Sequence, residues 1–327
     1  MPVSTVSRRT FAVAAAFAAA SLALPKSAWT QVVDTRPPTV DTGNPREIGK
    51  GVWILPDHRV WLVPNIGIIV GRDAALVVDC GLGPANGERV LEIARRIAGS
   101  RRLFLTISHF HPEHGYGANV FRKDATVVYN RSQRDELQQK GARYLDLFRK
   151  SQGQSAVEAL EGTEIMMPHF TYEGDHAEID LGGRIVELHN WGLAHTRGDQ
   201  IVFLPDERIL FSGDLIEERM FPIFPWFPPN DTDVDSAHWI DILYGFQKFK
   251  PRLVVPGHGD PGNIDIALNL AKHMEFVGRG VRALRASGKS PADIITEYRP
   301  QIVAAYPTWE HSSLLEWEIN YFASQPV

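Results

Sequence analysis

His109, His111, Glu113 and His114 fall within six residues, His109-Phe110-His111-Pro112-Glu113-His114, directly after an apolar run at residues 103–107. Three imidazoles and a carboxylate at this spacing are nitrogen and oxygen donors for zinc or a similar divalent cation. A lone His-x-His would read as a polar loop, but four donors at the end of a buried strand read as a metal site. Three further apolar runs end on a donor. His195 lies in Trp191-Gly192-Leu193-Ala194-His195-Thr196-Arg197-Gly198, and Asp214 closes Ile209-Leu210-Phe211-Ser212-Gly213-Asp214. His258 sits between glycines in Val255-Pro256-Gly257-His258-Gly259. Donors at strand ends, with glycine permitting close backbone approach, predict a site built between sheets. A catalytic zinc takes about three protein ligands, and a two-metal site about six or seven with sharing. The remaining histidines (His58, His169, His176, His189, His238, His273 and His311) show no partner pattern and read as structural or surface groups.

The elements around these residues are legible as short runs. Strand-like segments at 52–55, 60–63, 66–70 and 75–78 are separated by turn signals such as Pro64-Asn65 and Gly71-Arg72-Asp73. Residues 86–98 carry an amphipathic helical pattern that feeds a strand at 103–107. Residues 131–161 are helical and polar, an insertion between two halves. The strand logic repeats at 184–188, 200–204, 208–211 and 253–255, with a helix near 235–248. Two β-rich halves flanked by helices predict an α+β protein, a four-layer αββα sandwich over residues 47–262. Residues 263–327 form a helical C-terminal extension, either a cap on the sandwich or a dimerisation arm. The stretch 220–229 holds four prolines, which exclude a helix or a central strand. This apolar loop either walls a pocket, implying a partly apolar small-molecule substrate, or packs on the core and the C-terminal helices.

Of the 327 residues, 44% are apolar and 22% charged, ample for a large core, and the net charge of −5 gives no footprint for nucleic acid. Residues 1–30 read as a leader: Ser7-Arg8-Arg9-Thr10-Phe11 precedes a fourteen-residue apolar run and then Pro25-Lys26-Ser27-Ala28. The run falls short of the ~20 residues that span a bilayer, and the paired arginines resemble a twin-arginine export signal. The expected location is the periplasm, with no stable membrane insertion once the leader is removed. Residues 31–46 are a Pro- and Thr-rich linker. The single cysteine, Cys80, permits no internal disulfide and reads as a small buried side chain.

In order, these segments resemble the metallo-β-lactamase superfamily over residues 51–261. Its His-x-His-x-Asp-His signature is matched by His109 to His114, with Glu113 where aspartate is usual. Its Gly-His-Thr-x-Gly segment is matched by Ala194-His195-Thr196-Arg197-Gly198, its strand-Gly-Asp segment by Ser212-Gly213-Asp214, and its Pro-Gly-His-Gly segment by Pro256 to Gly259. An early strand ending in aspartate is matched by Val77-Val78-Asp79-Cys80-Gly81. The resemblance implies the metallo-β-lactamase fold and two divalent ions, zinc first, with iron or manganese also admissible. His109, His111 and His195 would hold one ion; Glu113, His114 and His258 the second; Asp214 would bridge both. Asp79 would orient a ligand imidazole from behind. A hydroxide shared by the ions would attack an ester, lactone, thioester or amide carbonyl, and Tyr116 could assist the oxyanion. The longer arm of Glu113 puts the position and affinity of the second ion in question. β-Lactam hydrolysis is the runner-up, because the antibiotic-hydrolysing branches carry Cys or Ser near the Asp214 position. A diiron or sulfur-handling redox member is a further alternative, as is a non-catalytic binding protein, which the complete ligand set disfavours.

Overall fold

The computed structural model describes residues 36–326, so the expected leader and the first part of the linker lie outside the described residues. The first half builds a seven-stranded sheet in the order β1 to β7: Arg46–Gly49, Val52–Leu55, Ile66–Val70, Ala74–Val78, Arg102–Thr106, Ala125–Asn130 and Phe170–Tyr172. The second half builds a five-stranded sheet in the order β12-β11-β10-β9-β8, with β8 His176–Asp180, β9 Ile185–His189, β10 Ile201–Leu204, β11 Ile209–Phe211 and β12 Leu253–Val255. Strand β4 is buried on every residue and pairs in parallel with β5, which accounts for its continuous apolar run. Leu76 and Val78 face Val186, Leu188, Val202 and Phe211 between the two sheets.

Helices cover both outer faces. On the first sheet, α1 (Gly83–Ala98) lays down Val90, Ile93 and Ala94. A single turn, α2 (Pro112–Gly115), follows β5, and then come α3 (Arg131–Ser151) and α4 (Gln154–Ala159). On the second sheet lie α5 (Ser236–Gly245), α6 (Asp265–Ala286), α7 (Pro291–Ala305) and α8 (Leu315–Ser324). The buried positions of α6, Ala267, Leu270, Ala271, Met274, Val277 and Val281, recur at the spacing of one helical face. They share a core with Leu210, Trp239, Ile319 and Phe322. The layers therefore run α/β/β/α, and the C-terminal helices cap the sandwich. Among the described residues, no helix is long and apolar enough to cross a membrane.

Two departures from the expected elements bear on the site. Residues 60–63 are not a strand but a folded loop, with positive φ at His58, Arg59 and Leu62. Their apolar residues were misleading because Trp61 and Leu62 face a recess beside the site, not a sheet neighbour. This loop is tied to the His258 segment: the Asn65 amide donates to the carbonyls of Pro256 and Gly259 at 3.1 and 2.8 Å. The loop at 220–229 does both things expected of it. Met220, Phe221 and Phe224 join the core with the C-terminal helices, while Ile223, Pro225 and Phe227 line the recess.

Candidate metal centre

The carboxyl ends of β4, β5, β11 and β12 and the loop between β9 and β10 bring the candidate donors to one edge of the sandwich. Two groups result, each with ligand atoms within 4.8 Å of one another: His109, His111, His195 and Asp214, and Glu113, His114, Asp214 and His258. All seven residues are buried, and Asp214 belongs to both groups. Its Oδ2 stands 3.8 Å from His109 Nε2, and its Oδ1 stands 3.2 Å from His114 Nε2 and 3.7 Å from His258 Nε2.

Local structure explains the convergence. Asn130 and Gln133 form a reciprocal cap at the start of α3. The same Gln133 amide donates to the carbonyls of Ile107 and Ser108 at 2.6 and 3.0 Å, fixing the chain that enters His109. The loop of His195 is locked by Asp199, whose carboxylate accepts from the Thr196 amide at 2.7 Å and its hydroxyl at 2.6 Å. Two glycines let β11 and β12 end close together. Gly213 adopts φ +53°, and a Cβ on Gly257 would overlap the Asp214 carboxylate and the Gly213 backbone.

Behind the donors, hydrogen bonds set the imidazole tautomers. His114 Nδ1 donates to Asp79 Oδ2 at 2.9 Å, and His195 Nδ1 donates to the Ile223 carbonyl at 3.0 Å. His109 Nδ1 lies 3.1 Å from the Ser108 hydroxyl, which donates to Asp79 at 3.0 Å. Each contact leaves Nε2 with a lone pair aimed into the centre, the arrangement that metal-binding histidines require. Asp79 holds φ +66° to make these contacts. Burial drives the pKa of His109 and His111 well below the ordinary imidazole value, and that of His195 down to about 4. Burial also opposes charge on His114, but Asp214 and Asp79 outweigh it and hold its pKa well above normal. Asp214 is held well below the usual carboxylate range by His114 and His258 despite its burial, whereas burial raises Glu113.

The residues fit divalent cations. His109 Nε2, Glu113 Oε2, His114 Nε2, both Asp214 oxygens and His258 Nε2 are buried without a hydrogen-bond partner. Each orphaned polar atom costs about 1–3 kcal/mol if nothing answers it, and cations between the members of this cluster would answer these atoms together. His111 Nδ1 and His195 Nε2 stand 3.3 Å apart. Two nitrogens at ~2.05 Å from one tetrahedral zinc would be separated by about 3.3 Å.

Tyr116, the residue expected to assist the oxyanion, is turned away: its ring is 1% exposed and its hydroxyl donates to the Gly141 carbonyl at 2.8 Å. It does not line the recess beside the centre; Tyr144 of α3 does. The sequence reading also passed over Ser108, which has no motif of its own, and a third group on the outer face of β8 and β9. There, His176 and His189 are register partners, and Glu187 Oε2 lies 2.9 Å from His189 Nε2. That pairing appears only once the strands are aligned, so these two histidines do have partners. Of the remaining histidines, His273 is buried against Glu318 at 2.9 Å, and His238 Nδ1 donates to the Leu193 carbonyl.

Comparison with known proteins agrees with this geometry. The sequence model described as the metallo-beta-lactamase superfamily matches residues 59–258. A "Metallo-beta-lactamase type 2" of Bacteroides fragilis is 23% identical over 216 residues, 65% of this chain and 76% of that protein. A metallo-beta-lactamase from Pontibacter korlensis superposes with a TM-score of 0.53 at 20% identity, covering 70% of this chain and 98% of the other. A variant of a sec-alkyl sulfatase gives a TM-score of 0.60 at 14% identity, covering 78% of this chain and 45% of that one. These structures share the fold. The family match ends at His258, so α6, α7 and α8 lie beyond it.

Proposed function

The chain belongs to the metallo-β-lactamase superfamily, and from that premise we propose that it is a two-metal hydrolase cleaving an ester, lactone, thioester or amide bond. One observation carries the reading: seven buried side chains converge in two donor groups that share Asp214, with orphaned ligand atoms facing one another. A pair of divalent cations, when bound, supplies an activated water near neutral pH and a Lewis acid for the carbonyl oxygen. His109, His111 and His195 would hold one, Glu113, His114 and His258 the other, and Asp214 both. The protein's own work is positioning. Asp79 keeps the proton of His114 on Nδ1, Ile223 does the same for His195, and Ser108 links His109 to Asp79. His111 and Glu113 form the floor of the adjoining recess, so the scissile group enters there. Zinc suits the imidazole-rich donors.

The test is a panel of esters, lactones, thioesters and amides assayed with the metal-quantified protein. Turnover of one acyl class should vanish on chelation, and Asp214→Ala should lower kcat by at least about a thousandfold, roughly 4 kcal/mol of barrier. Unchanged turnover in Asp214→Ala would remove the two-metal reading. β-Lactam hydrolysis is the second reading, favoured by the β-lactamase relatives; nitrocefin belongs in the same panel. Iron in the purified protein would favour the redox alternative. Export to the periplasm is proposed on residues 1–30 alone, and cell fractionation tests it.

A further inference from the structure

The recess beside the candidate centre is narrow, with a cavity volume of about 30 Å³, and has an unusual construction. Three separate parts of the chain wall it. Helix α3 contributes Tyr144, Leu147 and Phe148; the proline-rich loop contributes Ile223, Pro225 and Phe227; helix α8 contributes Trp317. Trp317 lies beyond the span shared with the family, and its ring meets that of Phe227 edge-on at 5.4 Å.

Two polar groups of this wall are already committed. Trp61 Nε1 donates to Gln152 Oε1 at 2.9 Å, and the Tyr144 hydroxyl donates to Asp231 at 2.6 Å. Among the described residues, no lysine or arginine lines the recess. The nearby cations are engaged: Lys140 pairs with Glu136, Asp231 and Asp233, and Arg143 pairs with Asp231. A smaller recess on the far side of His258 contains Arg59, but that guanidinium is bound by Glu218 and Asp260 at 2.6 and 3.0 Å. A substrate carboxylate pressed against this wall, away from the candidate ions, would be stripped of water with no lysine or arginine of the lining to receive it. An alkyl or aryl group, by contrast, gains from every contact with this wall.

Resting on the hydrolase reading, we propose that the substrate is an acyl compound whose uncharged alkyl or aryl group seats between α3, the proline-rich loop and Trp317. The C-terminal extension is then part of the substrate site and sets its selectivity. Tyr144 stacks on His111 with rings 19° apart and 5.3 Å between centroids, so the apolar wall runs continuously onto a candidate ligand.

The proposal is tested with p-nitrophenyl esters from acetyl to octanoyl and with ω-carboxylate analogues. For the metal-loaded wild type, kcat/KM should rise roughly fourfold per methylene while the chain is being buried, the equivalent of ~0.8 kcal/mol each. An ω-carboxylate should cancel that gain. Trp317→Ala should flatten the series by raising KM for hexanoyl and longer esters about tenfold, with metal content intact. Trp317→Phe, which keeps a ring at the position, should restore most of the slope and guards against simple misfolding of the alanine variant. A flat series in the wild type, or a carboxylate that accelerates turnover, overturns the proposal. Binding is read separately by ligand-observed NMR with hexanamide and adipamic acid. Hexanamide should bind the wild type and be weakened in Trp317→Ala; adipamic acid binding as well or better sinks the proposal. If no ester, lactone, thioester or amide is turned over while hexanamide still binds through Trp317, the hydrolase reading fails and the apolar subsite stands.

Discussion

Glu113 shows what a single methylene can decide. It is the one carboxylate that belongs to the second donor group alone, and its Oε2 is buried without a hydrogen-bond partner. Glu113→Gln keeps size and shape but removes the charge and replaces one acceptor oxygen by a donor. Metal analysis should then find about one ion per chain in place of two, with affinity at the second site falling by no less than the roughly 10–100-fold that outer partners cost. Glu113→Asp should keep two ions, because the carboxylate survives on the shorter arm found elsewhere in the superfamily. Two tightly held ions in Glu113→Gln would show that His114, His258 and Asp214 suffice. The donors themselves were readable from sequence because ligand chemistry leaves few alternatives: three imidazoles in six residues have little structural use. Tyr116 was not readable, since nearness in sequence says nothing of direction. The turn of α2 swings its ring into the core, and Tyr144 reaches the recess from another helix.

At the scale of elements, the site depends on strands ending close together, and glycine is the means. Gly257→Ala must drive a methyl group into the Asp214 carboxylate or push β12 away from β11. Either response separates Asp214 from His258, so the variant should lose most of its metal and all turnover while remaining folded by circular dichroism. Gly245→Ala is the control: its Cβ meets nothing within 4 Å at the end of α5, where alanine is favoured by about 0.5–1 kcal/mol. Normal metal content in Gly257→Ala would mean that the two strand ends are not held as described. Strands β4 and β11 were legible because they are buried on every residue and read as unbroken apolar runs. The edges were not. β8 alternates exposed and half-buried residues, and β7 is three residues long, so neither had enough buried side chains to stand out. Residues 60–63 misled in the opposite sense, since apolar side chains that line a recess look like those of a strand.

For the whole molecule, the question is how the C-terminal extension is coupled to the sandwich it caps. Its helices bury a stripe against α5 and the second sheet, and at the heart of that contact His273 of α6 and Glu318 of α8 meet at 2.9 Å with neither side chain exposed. The rings of Phe221, Tyr306 and Trp309 surround His273 at 5.5, 4.6 and 4.7 Å. Phe221 belongs to the proline-rich loop, which lines the recess two residues later at Ile223 and whose carbonyl there holds His195. A buried polar pair in an aromatic shell stabilises mainly through the cost of breaking it: removing one member strands the other. Glu318→Ala should therefore cost about 3 kcal/mol, a fall in Tm of about 5 °C for a chain of this size, whereas an exposed pair would cost under about 1 kcal/mol. Replacing both residues with apolar ones, His273→Met with Glu318→Leu, should recover most of the loss, because no stranded group remains. The single variant should also weaken His195 through the loosened loop, lowering metal occupancy before the chain unfolds. Equal stability of Glu318→Ala and wild type, measured by thermal melting with metal content held constant, would uncouple the extension from the centre and leave Trp317 as its one link to the substrate.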